Sequence, residues 1–114
     1  MADFNVSSRV DGDVSIIDVY GYLDAHTAPV LENEFNKLLD EKKYKVVVNF
    51  SNLDYISSAG LGVFMAYVET MREKNGDIKF SNLKEEVYSI FDLLGFPVLY
   101  EFFEDEKEAI EKFG

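Results

Sequence analysis

The run VVVNFSNLDYISSAGLGVFMAYVETM, residues 46–71, decides the fold. Val46, Val47 and Val48 are continuously apolar, the pattern of a central strand buried on both faces. From Ser58 the period changes: Leu61, Phe64, Met65, Val68 and Met71 share one face of a helix that Asn75-Gly76 ends. A buried strand followed by a helix is the repeating unit of parallel α/β proteins.

Working outward toward the N-terminus, residues 4–9 roughly alternate, Asp11-Gly12-Asp13 supplies a turn, and Val14 to Leu23 is rich in β-branched and aromatic residues. Together these predict a β-hairpin. Thr27 is placed to cap a helix with Pro29 in its first turn and Leu31, Phe35 and Leu38 at helical spacing, ending near Asp40. On the C-terminal side Ile78 and Phe80 mark a short strand. Asn82 with Glu85 reads as a capping box for a helix carrying Val87, Ile90, Phe91 and Leu94, stopped by Gly95. Val98 to Phe102 is expected as a last strand and Asp105 to Lys112 as a terminal helix. The expected order is β-β-α-β-α-β-α-β-α. That is one α/β domain over residues 1–114, with a mixed, mostly parallel sheet, an N-terminal hairpin and helices packed against it.

Composition narrows the function. The chain has 114 residues, 47% of them hydrophobic and 15% aromatic, enough for a real core and too apolar for disorder. Eleven basic residues against 22 acidic ones give a net charge of −11, which repels phosphate backbones and anionic lipid; neither nucleic acid nor a membrane surface is an expected partner. No cysteine is present, so disulfides, thiolate catalysis and cysteine-ligated metals are excluded. The single histidine, His26, cannot build a His-rich metal site. No apolar run approaches 18 residues and Met-Ala-Asp-Phe is no signal peptide, so a cytoplasmic protein is expected. The start at Met1 favours a free-standing protein.

Chemistry concentrates in DYISSAGLG, Asp54 to Gly62. Gly60 and Gly62 fall in the first turns of a helix, where each costs about 1 kcal/mol relative to alanine. Ser57 and Ser58 stand where a helix presents unpaired backbone N–H groups and the positive end of its dipole. On a helical wheel Ser58, Ala59, Gly62 and Ala66 form a smooth flank, while Val63 and Tyr67 lie roughly opposite the core stripe as apolar, exposed positions. Such a surface suits docking. The alternative is that Ser58 is an N-cap and the glycines are packing devices. A serine hydrolase is disfavoured, because neither serine has Gly two residues before it and the only base is His26, near a helix start. No segment singles out a glycosidase carboxylate pair. A P-loop is absent, since no Lys follows Gly60 or Gly62. The acidic tail, Glu101 to Glu111, reads as a solvated helix face.

GYLD at Gly21–Asp24 and YISSAGLGVF at Tyr55–Phe64 resemble the STAS domain, in particular the stand-alone bacterial anti-sigma factor antagonists. Length and element order agree over nearly the whole chain. In that family the loop reads approximately D-S-S/T/A-G-L-G, and the serine after the aspartate is phosphorylated by an anti-sigma factor that is itself a kinase. The resemblance therefore places Ser58 at the phosphorylated position, with Ala59, Gly60, Leu61 and Gly62 in register, and matches Asp24 to the acidic residue near the switch. Ser57 departs from the pattern, standing where the better-studied antagonists have Asp and offering a second hydroxyl. The resemblance implies transcription regulation by partner switching. It implies a serine-kinase anti-sigma factor and a PP2C-type phosphatase as partners, with no catalysis, cofactor or metal of the chain's own. The docking surface expected is Asp24, Ser57, Ser58, Ala59, Gly60, Gly62, Val63, Ala66 and Tyr67. The alternative is a non-switching STAS scaffold or regulatory module, with weak nucleotide binding among its properties.

Overall fold

A computed structural model of the protein describes residues 3–114. The reading of Met1-Ala2 as no part of a signal peptide lies outside the described residues. Strands β1 (Phe4–Asp11) and β2 (Val14–Leu23) form the expected antiparallel hairpin. Helix α1 (Ala28–Asp40) leads to β3 (Lys45–Ile56), and α2 (Ser58–Glu73) leads to β4 (Asp77–Ser81). Helices α3 (Glu85–Leu93) and α4 (Phe96–Leu99), β5 (Phe102–Phe103) and α5 (Glu106–Glu111) complete the order. The sheet runs β1-β2-β3-β4-β5, antiparallel at the hairpin and parallel thereafter.

Val46, Val47 and Val48 are fully buried, as a strand covered on both faces requires. Helices α1 to α4 cover one face. There Phe50, Phe64, Phe80 and Phe91, one each from β3, α2, β4 and α3, pack mutually with ring centroids 5.4–6.2 Å apart. Each is fully buried, and such pairs add about 0.5–1.5 kcal/mol beyond their burial. The strand–helix alternation of the sequence is thereby closed into one core.

The other face is covered by α5. Ala109 packs on Val14, Ile16 and Val47, flanked by Phe103, Ile110 and Phe113. The acidic tail is therefore not a wholly solvated face. Glu106 takes two hydrogen bonds from the Arg9 guanidinium, at 2.9 and 2.6 Å, and one from Asn49 at 2.9 Å. The guanidinium holds the Glu106 carboxyl below the usual carboxylate range, against the opposing effect of burial, with Asn49 assisting.

Two local expectations are corrected. Asn82 does not cap α3: it sits at φ +60°, and Lys84 occupies the N-cap without a side-chain bond. An asparagine tolerates that left-handed turn, so the Asn–Glu spacing has a different cause. Val98 to Phe102 is not one strand. Gly95 at φ +80° and Pro97 in a first helical turn start the four-residue α4, leaving only Phe102–Phe103 as strand. The element order gains one helix.

Candidate functional site

The site is built at the carboxyl ends of β2 and β3. Ser57 follows β3 in extended conformation, φ −99° and ψ 174°, and its N–H donates to the Leu23 carbonyl at 2.9 Å, tying the loop to the end of β2. Ser57 is the N-cap of α2. Its carbonyl receives the first helical bond, from Leu61 N at 3.0 Å, and its Oγ accepts from Gly60 N at 3.5 Å. Ser58 is therefore not the cap. It is the first helical residue, exposed, and its hydroxyl makes no hydrogen bond among the described residues. The N–H groups of the first turn beside it have no intrahelical acceptor, and the dipole there favours negative charge.

The two glycines have different reasons. A Cβ on Gly60 would lie 2.8 Å from Leu23 Cγ and 3.0 Å from Ile56 Cγ1, so this residue is small because the ends of β2 and β3 press against it. A Cβ on Gly62 would meet nothing within 4 Å. Internal packing accounts for Gly60 and leaves Gly62 unexplained.

Ser58, Ala59, Gly62 and Ala66 lie exposed together, as the flank requires. The remainder of the wheel is corrected. Val63 is 6% exposed and belongs to the core, whereas Met65 is 47% exposed. The buried arc is rotated because α2 packs on α1 as well as on the sheet. Tyr67 stacks on Phe35, centroids 5.0 Å apart at 23°, and donates its hydroxyl proton to Asn36 Oδ1 at 2.9 Å. Val63 lies in the core and Tyr67 is tied to α1; neither is a free anchor.

Asp24 lies one residue beyond the carbonyl that holds Ser57, at the same end of the sheet. Its Oδ1 accepts from the backbone N–H of His26 at 2.9 Å and of Thr27 at 3.2 Å. Its own N–H donates to Thr27 Oγ1 at 2.9 Å. This carboxylate shapes the turn into α1, and His26 contributes a backbone donor. Gly21, the first residue of the same motif, has φ +89°, and a Cβ there would lie 2.0 Å from the Asp3 carbonyl. Only glycine permits that approach of the chain.

Three neighbours escaped the sequence reading. Tyr22 and Tyr55, paired across β2 and β3, lie exposed against each other, tilted by 31° with centroids 5.6 Å apart. Lys84 pairs with Asp54 beside the end of β3. Met65 adds an apolar group to the small-residue flank. The strand register would have brought the tyrosines together; no spacing in the sequence shows the other two. Among the described residues no three of His, Asp and Glu gather to hold a metal, and no helix is long and apolar enough to cross a membrane.

The STAS domain family profile matches residues 5–109. The chain belongs to the STAS family. Within that family its similarity runs to the anti-sigma factor antagonists. BtrV of Bordetella bronchiseptica, named a candidate anti-sigma factor antagonist, is 33% identical over 88 residues, 77% of this chain and 75% of that protein. The anti-sigma-B factor antagonist of Staphylococcus epidermidis is 27% identical over 93 residues, 82% of this chain and 86% of that one. The anti-sigma factor antagonist SpoIIAA in its unphosphorylated form superposes with a TM-score of 0.80 at 20% identity, covering 96% of this chain and 95% of that one. The Bacillus cell fate determinant SpoIIAA in its phosphorylated form gives 0.74 at 18%, covering 98% and 100%. As a STAS domain of this kind the chain is a regulator and not an enzyme.

Proposed function

We propose that this STAS domain is an anti-sigma factor antagonist acting by partner switching in transcription regulation. Unphosphorylated, it docks the Ser58 flank onto an anti-sigma factor with serine-kinase activity and so frees a sigma factor. The kinase transfers the γ-phosphoryl group of ATP to Ser58 Oγ; ADP leaves and the hydroxyl proton passes to a base of the kinase. The added dianion then lies in an interface shaped for small neutral groups, and its desolvation cost together with the chain's net charge of −11 drives release. A PP2C-type phosphatase restores the docking form. ATP and metal belong to the kinase.

One observation carries this reading. Ser57 takes the capping role, which leaves the Ser58 hydroxyl exposed and without a partner among the described residues, at a helix N-terminus suited to an anion. Gly62 supports it: with open space around its Cβ position, its smallness serves an approach from outside. Incubation with the cognate kinase and ATP-Mg should add one phosphate, about 80 Da, mapped to Ser58 by tandem mass spectrometry. Ser58→Ala should abolish the modification without changing the melting temperature. Phosphate mapped mainly to Ser57 would overturn the assignment, and a complex that ignores ATP altogether would favour the non-switching module.

A further inference from the structure

An apolar surface lies outside the Ser58 flank, at the corner between α3 and α4. Leu93 is 85% and Val98 88% exposed, and Leu94 and Leu99 beside them are each more than half exposed. Four neighbouring aliphatic side chains in water is unusual for a soluble domain of this size and marks a contact surface. The corner is also firmly built. Val98 N donates to the Gly95 carbonyl at 3.2 Å and Tyr100 N to the Phe96 carbonyl at 2.9 Å. Phe96 is buried between Phe91 and Tyr100, each 5.1 Å away between centroids. Folding needs Phe96 inside; it places no such demand on Val98 or Leu93.

The corner is continuous with α2. Arg72 Nη2 donates to the Leu99 carbonyl at 3.0 Å, and its guanidinium lies 5.3 Å from the Tyr100 ring centre. Between the two elements runs an open groove of about 380 Å³ lined by Val68, Glu69, Arg72, Glu73, Leu99 and Tyr100. Met65 stands seven residues before Arg72, on the same stripe of the helix, and carries the apolar surface back toward Ser58. At 16 residues α2 is about 24 Å long. A standard interface of about 800 Å² per partner spans about 30 Å, so one partner can cover both ends.

Charge identifies the occupant. The exposed rim of groove and corner carries Glu69, Glu73 and Asp92, while Arg72 is already matched by Asp77 at 2.9 Å. A second copy would bring another −11 of charge, and anionic lipid is repelled in the same way. We infer that Leu93, Leu94, Val98 and Leu99 seat an apolar ridge with basic flanks on the same anti-sigma factor that docks at Ser58. The footprint then extends along α2 toward α4. This rests on the function proposed above.

The test is calorimetric titration of the purified anti-sigma factor with wild type, Leu93→Asp, Val98→Asp, Val98→Ser and Gly62→Gln, with sedimentation of each chain alone. Leu93→Asp and Val98→Asp should weaken binding at least tenfold and Val98→Ser severalfold, with melting temperatures unchanged because these side chains support no core. Glu69→Lys should also weaken binding and flatten its salt dependence. If the corner variants bind within twofold of wild type while Gly62→Gln fails, the corner lies outside the interface and the proposed function stands. A wild-type dimer that Val98→Asp converts to monomer would make a second copy the occupant and overturn the assignment. A wild type that binds no anti-sigma factor overturns both readings.

Discussion

Gly60 and Gly62 share one turn of α2 and should answer substitution with opposite signs. Alanine at 62 gains helix propensity, up to about 1 kcal/mol, and its methyl enters open space. Alanine at 60 gains the same propensity but drives a methyl against Leu23 and Ile56, both buried in the core; overpacking of this kind costs about 1–3 kcal/mol. Thermal melts should therefore show Gly62→Ala more stable than wild type and Gly60→Ala less stable. Two variants shifting in the same direction would contradict the packing described here. Local chemistry made the glycines and serines of this loop legible in the sequence: a costly residue in a helix start and a hydroxyl at an N-terminus need no tertiary information. Assigning the cap to Ser57 and the free hydroxyl to Ser58 needed the backbone geometry. Met65 and Val63 exchanged places for a different reason. A wheel assumes one buried face, whereas α2 is wedged between the sheet and α1, with Tyr67 bound to Phe35 and Asn36.

At the scale of elements, β2, α1, β3 and α2 are legible because each carries a run or stripe of buried residues. Strand β1, with none buried, is legible through the Asp11-Gly12-Asp13 turn that joins it to β2. The region from Asn82 to Phe103 is less legible. Its elements are short, and Gly95 and Pro97 break an apolar run that composition alone reads as strand. The docking of α5 is illegible in principle, since a six-residue helix carries too little pattern to say which face of a sheet it covers. Its attachment is testable through Glu106. The carboxyl is held below its ordinary range by Arg9, so its contribution to stability is complete above the unfolded value near 4.5 and is lost as pH falls through the folded one. Arg9 is half-exposed, and solvent screening limits the contribution to about 1 kcal/mol. Glu106→Gln should lower the melting temperature by about 4 °C at pH 7, and the gap to wild type should close as pH falls from the unfolded value through the lowered folded one. A gap that persists undiminished in acid would assign the effect to packing of α5 and not to the ion pair.

At the scale of the whole molecule, the proposed switch residue and the core are separate. The four-phenylalanine cluster joins β3, β4, α2 and α3, and Ser58 stands outside it at the exposed end of α2. A phosphate there meets the N–H groups of the first helical turn and the positive end of the dipole, worth about 0.3–1 kcal/mol in its favour. The chain's surplus of acidic residues opposes it. Neither effect approaches the energy of a core that closes over both faces of the sheet. The unphosphorylated and phosphorylated forms of SpoIIAA both share this fold. The phosphorylated chain should therefore melt within about 4 °C of the unmodified one. Amide chemical-shift changes should be confined to the turn at Asp24 and the segment from Ser57 to Ala66, while binding to the anti-sigma factor is lost. Shifts of similar size in α5, on the other face of the sheet, would mean that the phosphate rearranges the fold. The switch would then work by conformational change and not by charge placed directly in the interface.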